Sequence, residues 1–182
     1  EILPQLPTAK AVFIPIVGGG LIAGVATYLK TIAPKIKIIG VEPSGANAMA
    51  QSLDRGELVK LSKVDGFADG VAVKEVGVNC FQLCQQCVDG VMMVRTDQTC
   101  AALKDVFEDT RSILEPSGAL AVAGAKEWLN ANPDFEGDVV CITSGANMNF
   151  DRLRVISEIA DGGSGTEATL ISAIPEENGS FK

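Results

Sequence analysis

The residues best suited to chemistry are three consecutive glycines, Gly18, Gly19 and Gly20, set between an apolar run and a helix-forming one. Without Cβ atoms their backbone N–H groups are open to a ligand, and a helix starting there points the positive end of its dipole the same way. That combination suits a phosphate. Read as G-x-G-x-x-A, Gly18, Gly20 and Ala23 also fit a dinucleotide loop, with Glu42 after the next apolar strand to bind a ribose. A tight turn that binds nothing is the third reading. Further along, Ser144-Gly145-Ala146-Asn147 closes another apolar strand and offers a hydroxyl. Cys84-Gln85-Gln86-Cys87 is formally CxxC, with Cys80 one helical turn earlier. It lacks a clustered fourth ligand and a thioredoxin-like context, so these cysteines read as ordinary helix residues. The chain has no histidine, which removes histidine bases, catalytic triads and histidine metal ligands from among its own residues.

The elements that must position these groups alternate between strand and helix. Val12, Phe13, Ile14 and Ile16 read as a fully buried strand, and Leu21, Ala23, Ala26 and Leu29 as part of a helix over 20–31 that stops near Pro34. A strand over 36–41 leads into Glu42-Pro43-Ser44, and an alanine-rich helix over 45–53 ends at Asp54-Arg55-Gly56. The small residues of 67–73 read as a loop passing close to a ligand or to another backbone. A helix over 76–88, a short strand over 91–94 and a helix capped by Asp97 follow, the last with Ala101, Leu103, Val106, Phe107 and Ile113 roughly on one side. Glu115-Pro116 breaks that helix and opens another over 119–129, so small on its surface that it must pack tightly. A strand over 138–143 then delivers Ser144. The alternation predicts an α/β fold, a doubly wound parallel sheet, over residues 1–160. Asp161-Gly162-Gly163-Ser164-Gly165 reads as a linker, and strand character returns over 167–174, so 161–182 is expected to open a second domain.

Bulk properties exclude several partners. Nineteen uncharged residues separate Lys10 from Lys30, nominally enough to cross a bilayer, but Pro15 and the glycines would break such a helix in its first half. No membrane partner is expected. The net charge of −8 argues against nucleic acid, whose backbone is gripped by clustered Lys and Arg. Five cysteines are an odd count for a disulfide framework, which fits a reducing intracellular compartment. No secretory signal is legible, and a buried strand follows soon after Glu1, which reads as a fragment or a processed product.

Taken in order, the stretches VFIPIVGGGLIAGVA, VEPSGANAM, FADGVAVKEVG, DVFEDTRSILEPSGALAVAGAK and SGANMNF resemble the biosynthetic threonine dehydratase (threonine deaminase) family of fold type II pyridoxal-phosphate enzymes. ATLISAIPEENGSFK is similar to the first strand and turn of that family's ACT-like regulatory domain, which serine racemase and the catabolic dehydratases lack. The resemblance implies the large domain of a fold type II enzyme, in part. It implies that Val17, Gly18, Gly19, Gly20 and Leu21 hold the phosphate of pyridoxal 5'-phosphate through backbone amides, and that Ser144 hydrogen-bonds the pyridine nitrogen. It also implies dehydration and deamination of L-threonine to 2-oxobutanoate and ammonia, the first step of isoleucine biosynthesis, with L-serine as a second substrate. Isoleucine and valine would be effectors of the complete regulatory domain, and the complete enzyme a homo-oligomer, tetramer or dimer. It would sit in the cytoplasm of a bacterium or the plastid of a plant or alga.

Departures from the family sharpen these expectations. Val17 stands where the family's glycine loop begins, and would be strained if that position needed a positive φ. The family's Schiff-base lysine lies in an N-terminal S-F-K-type motif with no counterpart ahead of the glycine loop, and Lys10, Lys74 and Lys126 have no such context. No catalytic residue is therefore expected within this chain, and no turnover by it alone. Glu42 and Ala46 match two cation ligands of serine racemase-like relatives, but Ala48 replaces the third, so no metal site is expected. Glu115 reads either as an acid near the active site or as a plain helix-terminating one. A Rossmann-type NAD or FAD oxidoreductase, another fold type II enzyme such as serine dehydratase or serine racemase, and a non-catalytic regulatory product are the alternatives.

Overall fold

The computed structural model describes residues 1–163. Its strands are β1 (Ala9–Pro15), β2 (Lys37–Pro43), β3 (Gly90–Val94) and β4 (Asp138–Cys141), paired in parallel in the order β3-β2-β1-β4. Its helices are α1 (Ile2–Gln5), α2 (Gly20–Ile32), α3 (Ala48–Arg55), α4 (Val78–Cys87), α5 (Thr96–Thr110), α6 (Pro116–Ala131) and α7 (Arg152–Gly163), with a 3-10 turn at Asp69–Val71. The doubly wound parallel sheet expected from the alternation is what forms. Residues 11–29, long enough to suggest a membrane span, are divided between β1 and α2, and no described helix is long and apolar enough to cross a membrane.

Successive side chains of a strand face opposite sides of the sheet, and both sides here are apolar. Val12 and Ile14 of β1 and Ile38 of β2 pack with Ile22, Ala26 and Leu29 of α2, Met49 of α3 and Phe81 of α4. Ala11 and Phe13 of β1 and Ile39 and Val41 of β2 pack on the other side against Leu120, Ala121, Ala123, Ala125 and Trp128 of α6. The small residues of α6 let it lie close on the sheet. Phe13 and Phe135 both meet the Trp128 ring edge-on, at 5.7 and 4.9 Å between centroids. Lys30, at the end of α2, pairs with Asp89 at 2.7 Å, and Asp89 accepts the Ile38 N–H, which fixes the amino-terminal ends of β2 and β3.

Several boundaries differ from those the sequence suggested. Asp97 is not the cap of α5 but lies in its first turn, where the Arg95 guanidinium grips it at 2.8 Å and holds its carboxyl below the usual range. Gln98 does the capping, its side-chain oxygen accepting the Arg95 N–H at 2.8 Å. Helix α5 stops at Thr110 because Arg111 turns to φ +60, so Ile113 lies beyond it. Helix α7 was not foreseen. Its Ile156, Ile159 and Ala160 pack with Cys100 and Leu103 of α5, and Lys104 binds Asp161 at 2.8 Å. The first three residues of the expected linker, Asp161, Gly162 and Gly163, are therefore helical. The rest of that linker and the expected ACT-like strand lie outside the described residues.

Candidate functional site

The glycine loop is built by the end of β1. The Ile16 N–H extends the ladder to the Val41 carbonyl at 2.9 Å, and the chain then leaves the sheet through Val17, Gly18 and Gly19. Gly19, at φ +93, is the residue before α2 and turns the backbone so that the helix can begin. Ala23 N–H to Gly19 oxygen, 2.9 Å, is the first turn-closing bond of α2, so the N–H groups of Gly20, Leu21 and Ile22 precede any intrahelical acceptor. The Gly18 carbonyl is held away from the loop mouth by the Gly77 N–H at 3.0 Å.

Each glycine has its own reason. A Cβ on Gly19 would lie 2.8 Å from Cys80 Cβ and 2.9 Å from Met49 Cε, so α3 and α4 form the wall behind the loop. A Cβ on Gly18 or Gly20 would meet nothing within 4 Å. Those positions face open space, and a Cβ there would occupy room that a ligand oxygen needs. Open room, amides without intrahelical acceptors and a 13-residue helix behind them fit a phosphate group. Val17 is not strained: among the described residues Arg111 is the only non-glycine with positive φ. Val17 and Leu21, 38% and 42% exposed, flank the mouth with apolar side chains.

Ser144 sits three residues past β4. Strands β1 and β4 are direct parallel neighbours with Phe13 opposite Cys141, and the Ile142 N–H continues the ladder to the Phe13 carbonyl at 3.0 Å. The glycine loop and Ser144 thus leave adjacent strands, about 4.8 Å apart, at the same carboxyl edge of the sheet. In open parallel sheets this is the edge where ligands collect. Ser144 is exposed.

Glu42, the acid a dinucleotide site would need at a strand end, is not available to a ribose. It lies within β2, is 1% exposed, and its carboxylate accepts the N–H groups of Met49 and Ala50 at 2.9 and 2.8 Å, capping α3. Burial pushes its carboxyl up to about 7, against the pull of those two bonds. The sign for stability follows from the raised value: between pH 4.5 and about 7 the folded chain keeps a proton that the unfolded chain has given up, so this group's contribution falls as pH rises. Its size is on the order of 3 kcal/mol. Unfolding measured from pH 5 to pH 8 should show that decline, and Glu42→Gln should flatten it. An unchanged slope in the variant would place its source elsewhere.

The cysteines behave as ordinary helix and strand residues. Burial pushes the Cys84 and Cys100 thiols up to about 12 and Cys141 up to about 11, so none of these three is a ready thiolate. Cys80 and Met49 back the glycine loop, a role that no local pattern in the sequence marks. A second cluster of polar groups surrounds Glu115. Its carboxylate accepts the Ser117 hydroxyl and the Asn147 N–H, the latter at 3.1 Å, beside the Ser144 turn.

A parallel α/β sheet with a glycine loop that fits a phosphate and a hydroxyl on neighbouring strands has the form of a cofactor-binding enzyme domain. The chain belongs to the pyridoxal-phosphate dependent enzyme family, whose model matches residues 1–145. It is 58% identical over 172 residues to threonine dehydratase 1 biosynthetic, chloroplastic, of Solanum lycopersicum, covering 94% of this chain and 28% of that protein. Against the mitochondrial threonine dehydratase of Saccharomyces cerevisiae it is 51% identical, covering all of this chain and 33% of the relative. The chain thus spans about a third, or less, of the length of these curated relatives. Among solved structures, the processed form of threonine deaminase isoform 2 from Solanum lycopersicum superposes with a TM-score of 0.85 at 53% identity, covering 87% of this chain and 44% of that one. Maize serine racemase follows the same fold at a TM-score of 0.78 and 32% identity, covering 86% of this chain and 50% of that one.

Proposed function

We propose that this chain forms the phosphate- and ring-holding part of a catalytic domain that eliminates water from L-threonine to an enamine, which water then hydrolyses to 2-oxobutanoate and ammonia, with L-serine as a second substrate. The observation that carries this reading is the direct pairing of β1 with β4, which sets the loop 17–21 and Ser144 side by side at the carboxyl edge. Identity of 50% or more to proteins named threonine dehydratase, against 32% for the serine racemase, supports threonine as the substrate class.

In this reading the amides of Val17, Gly18, Gly19, Gly20 and Leu21 take the phosphate oxygens, and the start of α2 offsets part of their charge. Bound there, pyridoxal phosphate supplies an electron sink for the carbanion formed when the substrate α-proton leaves. Ser144 holds the pyridine nitrogen through one hydroxyl. A hydroxyl cannot keep a proton on that nitrogen as a carboxylate would, so the sink is moderate. Moderate suffices where a β-hydroxyl leaves as the carbanion forms. Val17 and Leu21 screen the loop mouth from water. The lysine that carries the cofactor is supplied, in this reading, by the part of the catalytic domain that these residues do not span. In this reading the residues beyond α7 open a regulatory domain through which isoleucine and valine act, in a homo-oligomer. Relatives named chloroplastic and mitochondrial support an organelle as the compartment of a eukaryotic form.

Ser144→Ala in the full-length enzyme tests the reading. The variant should retain stoichiometric pyridoxal phosphate, followed by absorbance, while kcat for threonine falls about tenfold to a hundredfold. An unchanged kcat removes Ser144 from the mechanism. Tight binding of NAD with no affinity for pyridoxal phosphate overturns the assignment.

A further inference from the structure

Three segments far apart in sequence meet at one carboxylate. Glu115 immediately precedes α6, and its Oε1 accepts the hydroxyl of Ser117, itself buried. Its Oε2 accepts the Asn147 N–H at 3.1 Å, and its own N–H donates to the Gly145 carbonyl at 3.0 Å. The approach is closer still at Gly145, where a Cβ would lie 2.2 Å from Oε1. From the third side comes the turn at Asp69–Val71: a Cβ on Gly70 would lie 2.6 Å from Ser117 Oγ and 3.2 Å from Glu115 Oε1. Gly70 of FADGVAV and Gly145 of SGAN therefore lack a side chain for one reason: each lets its backbone come close to this carboxylate and the start of α6.

The hydrogen bonds that Glu115 makes to the β4 end go to Gly145 and Asn147, residues that flank or follow Ser144. On the ring-holding reading of Ser144, we infer that Glu115 is a positioning residue that fixes this turn against α6 and so aims the Ser144 hydroxyl. Both of its oxygens are engaged, one by the serine beside it and one by the turn that follows Ser144, so the carboxylate ties the two segments together. A ligand-holding hydroxyl must be kept within about half an ångström of its productive place, and an exposed turn with no further strand beyond β4 in the described sheet needs such a clamp. Pro116 and Ser117 supply the rest: the proline fixes the first turn of α6, and the serine orients the carboxylate.

The test is a double-mutant cycle in the full-length holoenzyme. Glu115→Gln keeps the side chain's size but sets an NH2 group against either the Ser117 hydroxyl or the Asn147 N–H. It should lower kcat about tenfold, with KM for threonine within about twofold and pyridoxal phosphate retained, because the phosphate loop is untouched. Since Glu115 acts through Ser144, the double variant with Ser144→Ala should be no more than about twofold slower than Ser144→Ala alone. Losses that multiply, or an unaltered kcat in Glu115→Gln, overturn the inference. Failure of the underlying reading looks different: Ser144→Ala alone would then leave kcat unchanged. If Glu115→Gln does not fold, Ser117→Ala replaces it in the cycle, removing one bond to the carboxylate, and must show the same lack of additivity.

Discussion

Gly19→Val should cost the enzyme both stability and its cofactor, whereas Gly20→Ala should cost it only cofactor affinity. At Gly19 two penalties add. The φ of +93 is one that a β-branched residue adopts only under strain, at about 1–3 kcal/mol. The new Cβ would also stand 2.8 Å from Cys80 Cβ and 2.9 Å from Met49 Cε. Met49 ends in a flexible thioether and can swing aside, but Cys80 Cβ is fixed to the backbone of α4, so the loop or the helix must move. A total near 4 kcal/mol and loss of bound pyridoxal phosphate are expected, read as thermal unfolding and as cofactor absorbance after desalting. Gly20 has no positive φ and open space at its Cβ. Alanine there leaves the unfolding temperature unchanged or slightly higher while its methyl group occupies phosphate room, so affinity should fall tenfold or more. Normal cofactor content in Gly19→Val would contradict the cradle. Equal damage from both substitutions would mean that the loop is merely a packing turn.

The contrast explains what the sequence could and could not announce. Gly18-Gly19-Gly20 between Ile16 and Leu21 is a local pattern, and local patterns determine local backbone: β1, the turn and α2 form where the residues point to them. The same holds for 138–141 and the exit toward Ser144, and the parallel direction of the strands follows from the alternation of elements, while their order β3-β2-β1-β4 comes from the fold alone. Roles set by distant partners were not legible. Glu42 looks the same in sequence whether it faces a ribose, a cation or the amides of α3, and only the fold shows that Met49 and Ala50 take it. Glu115 is ambiguous for the same reason, since Asn147 and Gly145 lie some thirty positions away. Helix α7 escaped because Arg152, Arg154, Glu158 and Asp161 dilute its apolar positions, which have meaning only against α5. The glycines at 162 and 163 suggested a linker on composition, yet contact with α5, including the bond from Lys104 to Asp161, holds the helix to that point.

Gly118→Ala sets a local preference against a tertiary contact, and the contact should win. Gly118 lies in the first turn of α6, where alanine is favoured over glycine by up to about 1 kcal/mol on helix propensity. A Cβ at this position would stand 2.2 Å from the Gly145 carbonyl oxygen and 3.0 Å from Gly145 C and N. These are backbone atoms, and they cannot turn away as a side-chain tip can. Gly145 cannot retreat freely either, because its carbonyl accepts the Glu115 N–H and its other side rests on the Glu115 carboxylate. The strain is expected to be about 4 kcal/mol, above the usual range for overpacking because backbone must shift. Two relaxations are open. If the turn holds its place, the domain loses that stability and its unfolding temperature drops by several degrees; if the turn yields, Ser144 moves with it and kcat falls at least as far as in Ser144→Ala. A rise in unfolding temperature with full activity would show that α6 does not press on the 144–147 turn. The hydroxyl end of the site would then lack the support that makes it a fixed partner to the glycine loop.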